Sequence, residues 1–199
     1  MHNTHPNLRH SLLGARGLAV VALAVLAVAA CSDPFALKAQ YSNEPFNYSL
    51  FGLNGSGPAN APSALDFGSV SAVRVDGSFG FDVAFDFDGT GKIRVIPQKL
   101  VGTNVNGSRT IGLQRVSGAY ESLLLAPARG WVFDSVVAVL PGETVVARLT
   151  SSICAYQLST EIYAKFVIDS VMPGGLIYGR GTTNPNCGFK SFAVGVPTK

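Results

Sequence analysis

Histidine is almost missing from this chain. His2, His5 and His10 are the whole complement, and all lie within the first ten residues. Beyond them no imidazole is available to activate a serine or cysteine nucleophile or to bind a metal. Neither Gly-x-Ser-x-Gly nor Ser-x-x-Lys occurs after Cys31, so the familiar serine-hydrolase signatures are absent. Cysteine is nearly as scarce, with only Cys31, Cys154 and Cys187. Charge is low, at 14% of residues, with 15 Lys and Arg against 12 Asp and Glu. Setting aside Arg9 and Arg16 near the start leaves 13 against 12, a net of +1. That balance supplies no basic patch for nucleic acid or for an anionic surface. The glycine-rich turn Asn54-Gly55-Ser56-Gly57 is not followed by Gly-Lys-Ser/Thr, which excludes a phosphate loop there.

What the chain does have is a long apolar run near its start. Leu18–Ala30 is 13 uninterrupted apolar residues, preceded by Arg9 and Arg16 with no acid and closed by Ala29 and Ala30. A basic segment, an apolar segment and small residues form the layout of an export signal. As a helix the run would reach about 20 Å, short of the roughly 30 Å of a bilayer core. It therefore reads as an address and not as a permanent span. Val28-Ala29-Ala30-Cys31 resembles the lipobox of bacterial lipoproteins. The resemblance implies that residues 1–30 are removed and that the Cys31 thiol carries a diacylglycerol. The membrane is then a partner through that anchor. Ser32 follows Cys31 where an Asp would favour the inner membrane, so the resemblance implies the outer membrane of the cell envelope. Buried acyl chains contribute about 0.8 kcal/mol per CH₂, and two or more hold a protein stably. The alternative is an ordinary signal peptide with an incidental cysteine.

Three segments follow: the signal at 1–30, a Pro, Gly, Asn and Ser-rich tether at 31–63, and a body at 64–199. Pro34, Pro45, Pro58 and Pro62 punctuate the tether. Within it Phe46–Leu53 is a strand candidate able to extend a sheet edge. The body is a series of short strands with Gly and Pro turns. Ser69–Val75 alternates weakly. Phe79–Phe87 alternates strictly, with Phe79, Phe81, Val83, Phe85 and Phe87 on one face and Asp82, Ala84 and Asp86 on the other. The turn Asp88-Gly89-Thr90-Gly91 joins it to Lys92–Ile96 as a hairpin. Val101–Arg109 reads as loop and Thr110–Val116 as strand. Tyr120–Leu125 is the one helix candidate, stopped by Pro127. Arg129–Leu140 and Thr144–Leu149 read as a second hairpin across Pro141-Gly142-Glu143. Glu161–Met172 and Leu176–Thr182 form a third across Pro173-Gly174-Gly175. This spacing predicts an all-β antiparallel sandwich, with a partly open barrel as the alternative.

Candidate chemistry is sparse. Cys154 and Cys187 lie in a chain read as exported, where a structural disulfide is the expected state. A redox pair would want Cys-x-x-Cys, and zinc would need two more ligands. Asp82, Asp86 and Asp88 are read as solvent-facing acids beside an Asp-Gly turn. The competing calcium reading lacks the remaining ligands of an EF-hand loop. Asp134 and Asp169, within apolar strands, are read as ion-pair partners for Arg148 or Lys165. The many aromatics are read as core, with an exposed patch for glycan or peptide contact as the alternative. Phe81-Asp82-Val83-Ala84-Phe85 and Tyr163-Ala164-Lys165-Phe166-Val167 resemble two strands of haemophore-like β-sandwich lipoproteins. That resemblance implies a sandwich. The haem-bearing members use paired histidines, which this chain lacks beyond residue 10, so no cofactor and no metal is expected. The function expected is non-enzymatic binding of an envelope protein or glycan, with no nucleic acid. A small apolar-ligand carrier and a hydrolase without recognisable motif are the alternatives.

Overall fold

A computed structural model describes residues 38–76, 80–102 and 109–197. The leader, Cys31 and Phe79 lie outside the described residues, as does most of the loop at 101–109. The body is all-β and antiparallel. One sheet has the order β1-β11-β10-β9-β6-β7 and the other β3-β2-β4-β5-β8, so the layers form an open sandwich and not a closed barrel. The strands of the larger sheet are β1 Glu44–Phe51, β6 Ile111–Val116, β7 Val132–Phe133, β9 Thr144–Thr150, β10 Glu161–Met172 and β11 Leu176–Asn184. Those of the smaller are β2 Ala64–Asp66, β3 Ser71–Val73, β4 Val83–Phe87, β5 Ile93–Pro97 and β8 Val137–Val139.

Alternation dictates the core. Leu113, Val145, Ala147, Leu149, Ile162, Ala164, Phe166 and Ile168 point inward from the larger sheet, and Val83, Phe85, Ile93 and Val95 from the smaller. Aromatic rings bridge the layers: Phe67 lies 5.6 Å and Phe85 5.9 Å from Phe166. β1, drawn from the stretch read as a tether, pairs along β11 at the sheet edge and lends Phe46, Tyr48 and Leu50 to this core. It fits because Gly179 and Gly181, on the inner face of β11, have no side chain. The Phe46 ring fills the space over Gly181 and the Tyr48 ring that over Gly179, and Tyr48 Oη donates to the Val167 carbonyl at 3.0 Å.

The first and third hairpins form as expected, in β4–β5 and β10–β11. The first turn differs in type. Gly91, not Gly89, takes the positive φ, and Asp88 accepts from Thr90 N, Thr90 Oγ1 and Lys92 N. The second hairpin does not form. β8 pairs with β5 while β9 pairs with β6 and β10, so Pro141-Gly142 carries the chain from one layer to the other. The alternating strand expected at Phe79–Phe87 is regular only from Val83. A bend at Asp82 turns Phe81 away from Phe85, into a second cluster with Ala64 and Ala84 on the outer face of the smaller sheet. Leu53, Val73, Val75 and Val101 cover that face. Asp82 and Asp86 are buried, not solvent-facing. The helix candidate at 120–125 reduces to a single 3-10 turn, Tyr120–Ser122.

Candidate functional site

Three polar constellations and one apolar end stand out, and each follows from where a strand stops. At the start of β4, the fully buried Asp82 accepts from Phe67 N and from Arg109 Nη1, both at 2.7 Å. Asp66 stands 3.4 Å from the same guanidinium nitrogen. Burial pushes the Asp82 carboxyl up to about 6, outweighing the Arg109 charge and the Phe67 amide that pull it down. A carboxylate held by the Phe67 amide and the Arg109 guanidinium suits a structural tie.

The second constellation lies on the outer face of the larger sheet. The segments 124–126 and 190–192 pair there as a strap, through Ala126 N to the Lys190 carbonyl and Phe192 N to the Leu124 carbonyl. Beneath its edge sits Lys165, only 4% exposed. Its ammonium donates to the carbonyls of Tyr120 at 2.7 Å and Leu123 at 3.0 Å, and lies 4.2 Å from the Tyr120 ring centroid. Arg180 stacks on the Tyr120 ring at 5.0 Å and reaches both Glu121 and Asp169. Burial lowers the Lys165 pKa, against the opposing pull of the Glu121 charge and with a smaller push from Arg180. The pairings read from sequence are thus redistributed: Asp169 pairs with Arg180, Asp134 with Lys99, and Arg148 with Glu161. Lys165 is met by carbonyls and rings, which holds the strap down.

The third lies along the free edge of the smaller sheet. Arg115 Nη1 donates to the Ala138 carbonyl at 3.3 Å, and Leu140 N donates to Glu143 at 2.8 Å. Arg115 and Glu143 stand 3.5 Å apart, so one ion pair clips the edge of β8. Covering an edge this way blocks pairing with another chain. Beside it an open groove of about 500 Å³ is lined by Leu113, Gln114, Gly130, Val132 and Val137 among others. Gln114 Oε1 is buried there with no partner among the described residues.

The apolar end is built on the disulfide. Cys154 and Cys187 are bonded, with Cα atoms 5.6 Å apart. The bond pins the loop between β9 and β10 to the loop after β11, as the sequence suggested. A 3-10 turn, Ser152–Cys154, stiffens the first loop, and Ser151 N to the Thr160 carbonyl closes its neck. Its tip points outward: Ile153 is 62%, Tyr156 101% and Leu158 77% exposed. Asn186, next to the bond, holds the incoming chain. Its Oδ1 accepts from Gln40 N and Tyr41 N, and its Nδ2 donates to the Tyr41 carbonyl. Asn43 N then bonds the Gly195 carbonyl. Tyr41, Val194 and Val196 join the same end, all exposed.

No His, Cys, Asp or Glu cluster able to hold a metal occurs among the described residues. Asp86 is occupied by Asn54 and Asp88 by its own turn, so the two do not converge on a cation. Cys31 lies outside the described residues. Sequence reasoning missed the apolar end, although its signal was present: no charged residue occurs from Thr150 through Thr160. Comparison with protein-family models, curated proteins and solved structures finds no match to this chain.

Proposed function

We propose that the chain is an exported lipoprotein: a β-sandwich anchored through Cys31 at the bacterial cell envelope. There it serves as a non-enzymatic binding or structural module. The observation that carries this is the 13-residue apolar run closed by Val28-Ala29-Ala30-Cys31. A disulfide between the two remaining cysteines fits an oxidising compartment. The packed aromatic core favours contact through the surface over transformation of a small molecule inside. Among the described residues no helix is long and apolar enough to cross a membrane. The test is metabolic labelling with palmitate. The parent should take label and Cys31→Ser should not; a labelled Cys31→Ser or an unlabelled parent refutes the assignment. Crosslinking in intact envelopes followed by pulldown then identifies the protein or glycan contacted. The groove beside β8 supports a second reading, a carrier of small apolar ligands, because the apolar side chains of Val132, Val136 and Val137 line it. Saturable displacement of an apolar dye, abolished by Val137→Arg, would favour it.

A further inference from the structure

We propose that the end of the sandwich bearing Tyr41, Ile153, Tyr156, Leu158, Val194 and Val196 is a bilayer-contact surface. On this account the disulfide-pinned loop dips into the lipid headgroup and upper acyl region. The inference rests on the lipid-anchor reading and adds an orientation to it.

Three observations carry it. The first is exposure: six large apolar or aromatic side chains project from one end, and Tyr156 and Val194 are fully in solvent. Exposed apolar groups gathered in one place mark a surface that meets something apolar. The second is the absence of charge around them. Residues 39–43, 150–160, 181–189 and 191–197 contain no Asp, Glu, Lys or Arg. Inserting the tip thus brings no ionised side chain of these segments into lipid. Lys38 and Lys190 flank the surface, suited to phosphate headgroups, while the nearby Glu161 is already paired with Arg148. Among the described residues Glu44 is the exposed acid at this margin. Tyrosine, an amphipathic ring, favours the membrane–water interface, and Tyr41 and Tyr156 both sit at this end.

The third is reach. Lys38 stands seven positions after Cys31 in sequence. Whatever conformation those residues take, they span at most about 25 Å. Residues 40, 41 and 43 are bonded to Asn186 and to the 191–195 segment, so the body is tied to its anchor from this end. The opposite end does not compete. Its turns interleave Val171 and Met172 with Asp88, Lys92 and Glu143. The loop is also preorganised, since the Cys154–Cys187 bond and the Ser152–Cys154 turn fix it before any contact is made.

The experiment reconstitutes the full lipidated protein in phosphatidylcholine vesicles brominated near the headgroup end of the acyl chains. Tryptophan is placed at the proposed surface (Tyr156→Trp) or at the opposite end (Met172→Trp), with the native Trp131 as the common baseline. Both positions are exposed, so neither substitution disturbs packing. Emission above that baseline reports the introduced ring. Bromolipid should remove about half of it in Tyr156→Trp, given insertion of roughly 5–10 Å, and leave it unchanged in Met172→Trp. If palmitate-labelled, vesicle-bound Tyr156→Trp protein is unquenched, the orientation is overturned and the anchor stands. A blue shift without quenching in Tyr156→Trp means that a protein neighbour, not lipid, covers this end, and also overturns it. Unlabelled protein that fails to bind vesicles removes the anchor and the orientation with it.

Discussion

Gly179→Ala is the substitution on which the packing argument can be tested hardest. β1 is an edge strand, and its hold on the sandwich depends on Tyr48 lying over a residue without a side chain. An ideal Cβ at Gly179 would overlap the Tyr48 ring, its hydroxyl and the Val167 carbonyl oxygen. The ring cannot swing outward without losing its place in the core, where it is 5% exposed, and its bond to Val167. The Val167 oxygen belongs to the backbone of a central strand and has nowhere to go. Overpacking costs about 1–3 kcal/mol, and the lost hydrogen bond about 1 kcal/mol more. Against this, alanine regains about 0.5–1 kcal/mol that glycine loses in a strand. The net expectation is a loss of about 1–3 kcal/mol, a sizeable part of a stability on the order of 5–15 kcal/mol. Equilibrium urea unfolding measures it. Gly89→Ala is the matched control, because nothing lies within 4 Å of its Cβ and its φ is not positive; it should stay within about 0.5 kcal/mol of the parent. In a Tyr48→Ala background the penalty at Gly179 should shrink, leaving only the overlap with Val167. A Gly179→Ala protein as stable as Gly89→Ala would refute the reasoning.

Other expectations follow from the same geometry. Replacing Cys154 and Cys187 by serine opens a loop of 33 residues and should cost about 3–4 kcal/mol by loop entropy, read from urea midpoints; an unchanged midpoint would show that the bond adds nothing to the folded state. Asp82 titrates at about 6 when folded and near 4 when unfolded, so the folded state holds its proton more tightly. The resulting stability is complete below about pH 4 and is lost as pH rises to about 6. The parent should therefore fall about 2–3 kcal/mol relative to Asp82→Asn between pH 4 and pH 7, and a difference that does not vary with pH would count against it. Lys165→Ala removes the ammonium from the Tyr120 and Leu123 carbonyls and should speed amide exchange at Ala126 and Phe192 in the strap. Unchanged exchange at those two amides would mean that the strap does not depend on Lys165.

What the sequence determined by itself is what nearest neighbours along the chain decide. Alternation at Val83–Phe87 and Ile162–Ile168 sets which side chains can share a face. The Asp88–Gly91 and Pro173–Gly175 turns join strands that are consecutive, so both hairpins were legible. Cys154 and Cys187 could be matched because no other cysteine lies near them in the body. What only tertiary structure decided is what depends on a second layer. The Pro141-Gly142 turn has the same local chemistry whether the next strand returns to its own sheet or crosses to the other, and only the competition for β5, β6 and β10 selects the crossing. Asp82 and Asp86 alternate with phenylalanines as surface acids do, yet both are buried, Asp82 against Phe67 N and Arg109 and Asp86 against Asn54. Gly179 and Gly181 look like weak points in a strand until β1 lays Tyr48 and Phe46 across them. A strand's pattern fixes which residues point together. Burial and partners depend on what the rest of the chain places opposite, and that is set by contacts far apart in sequence.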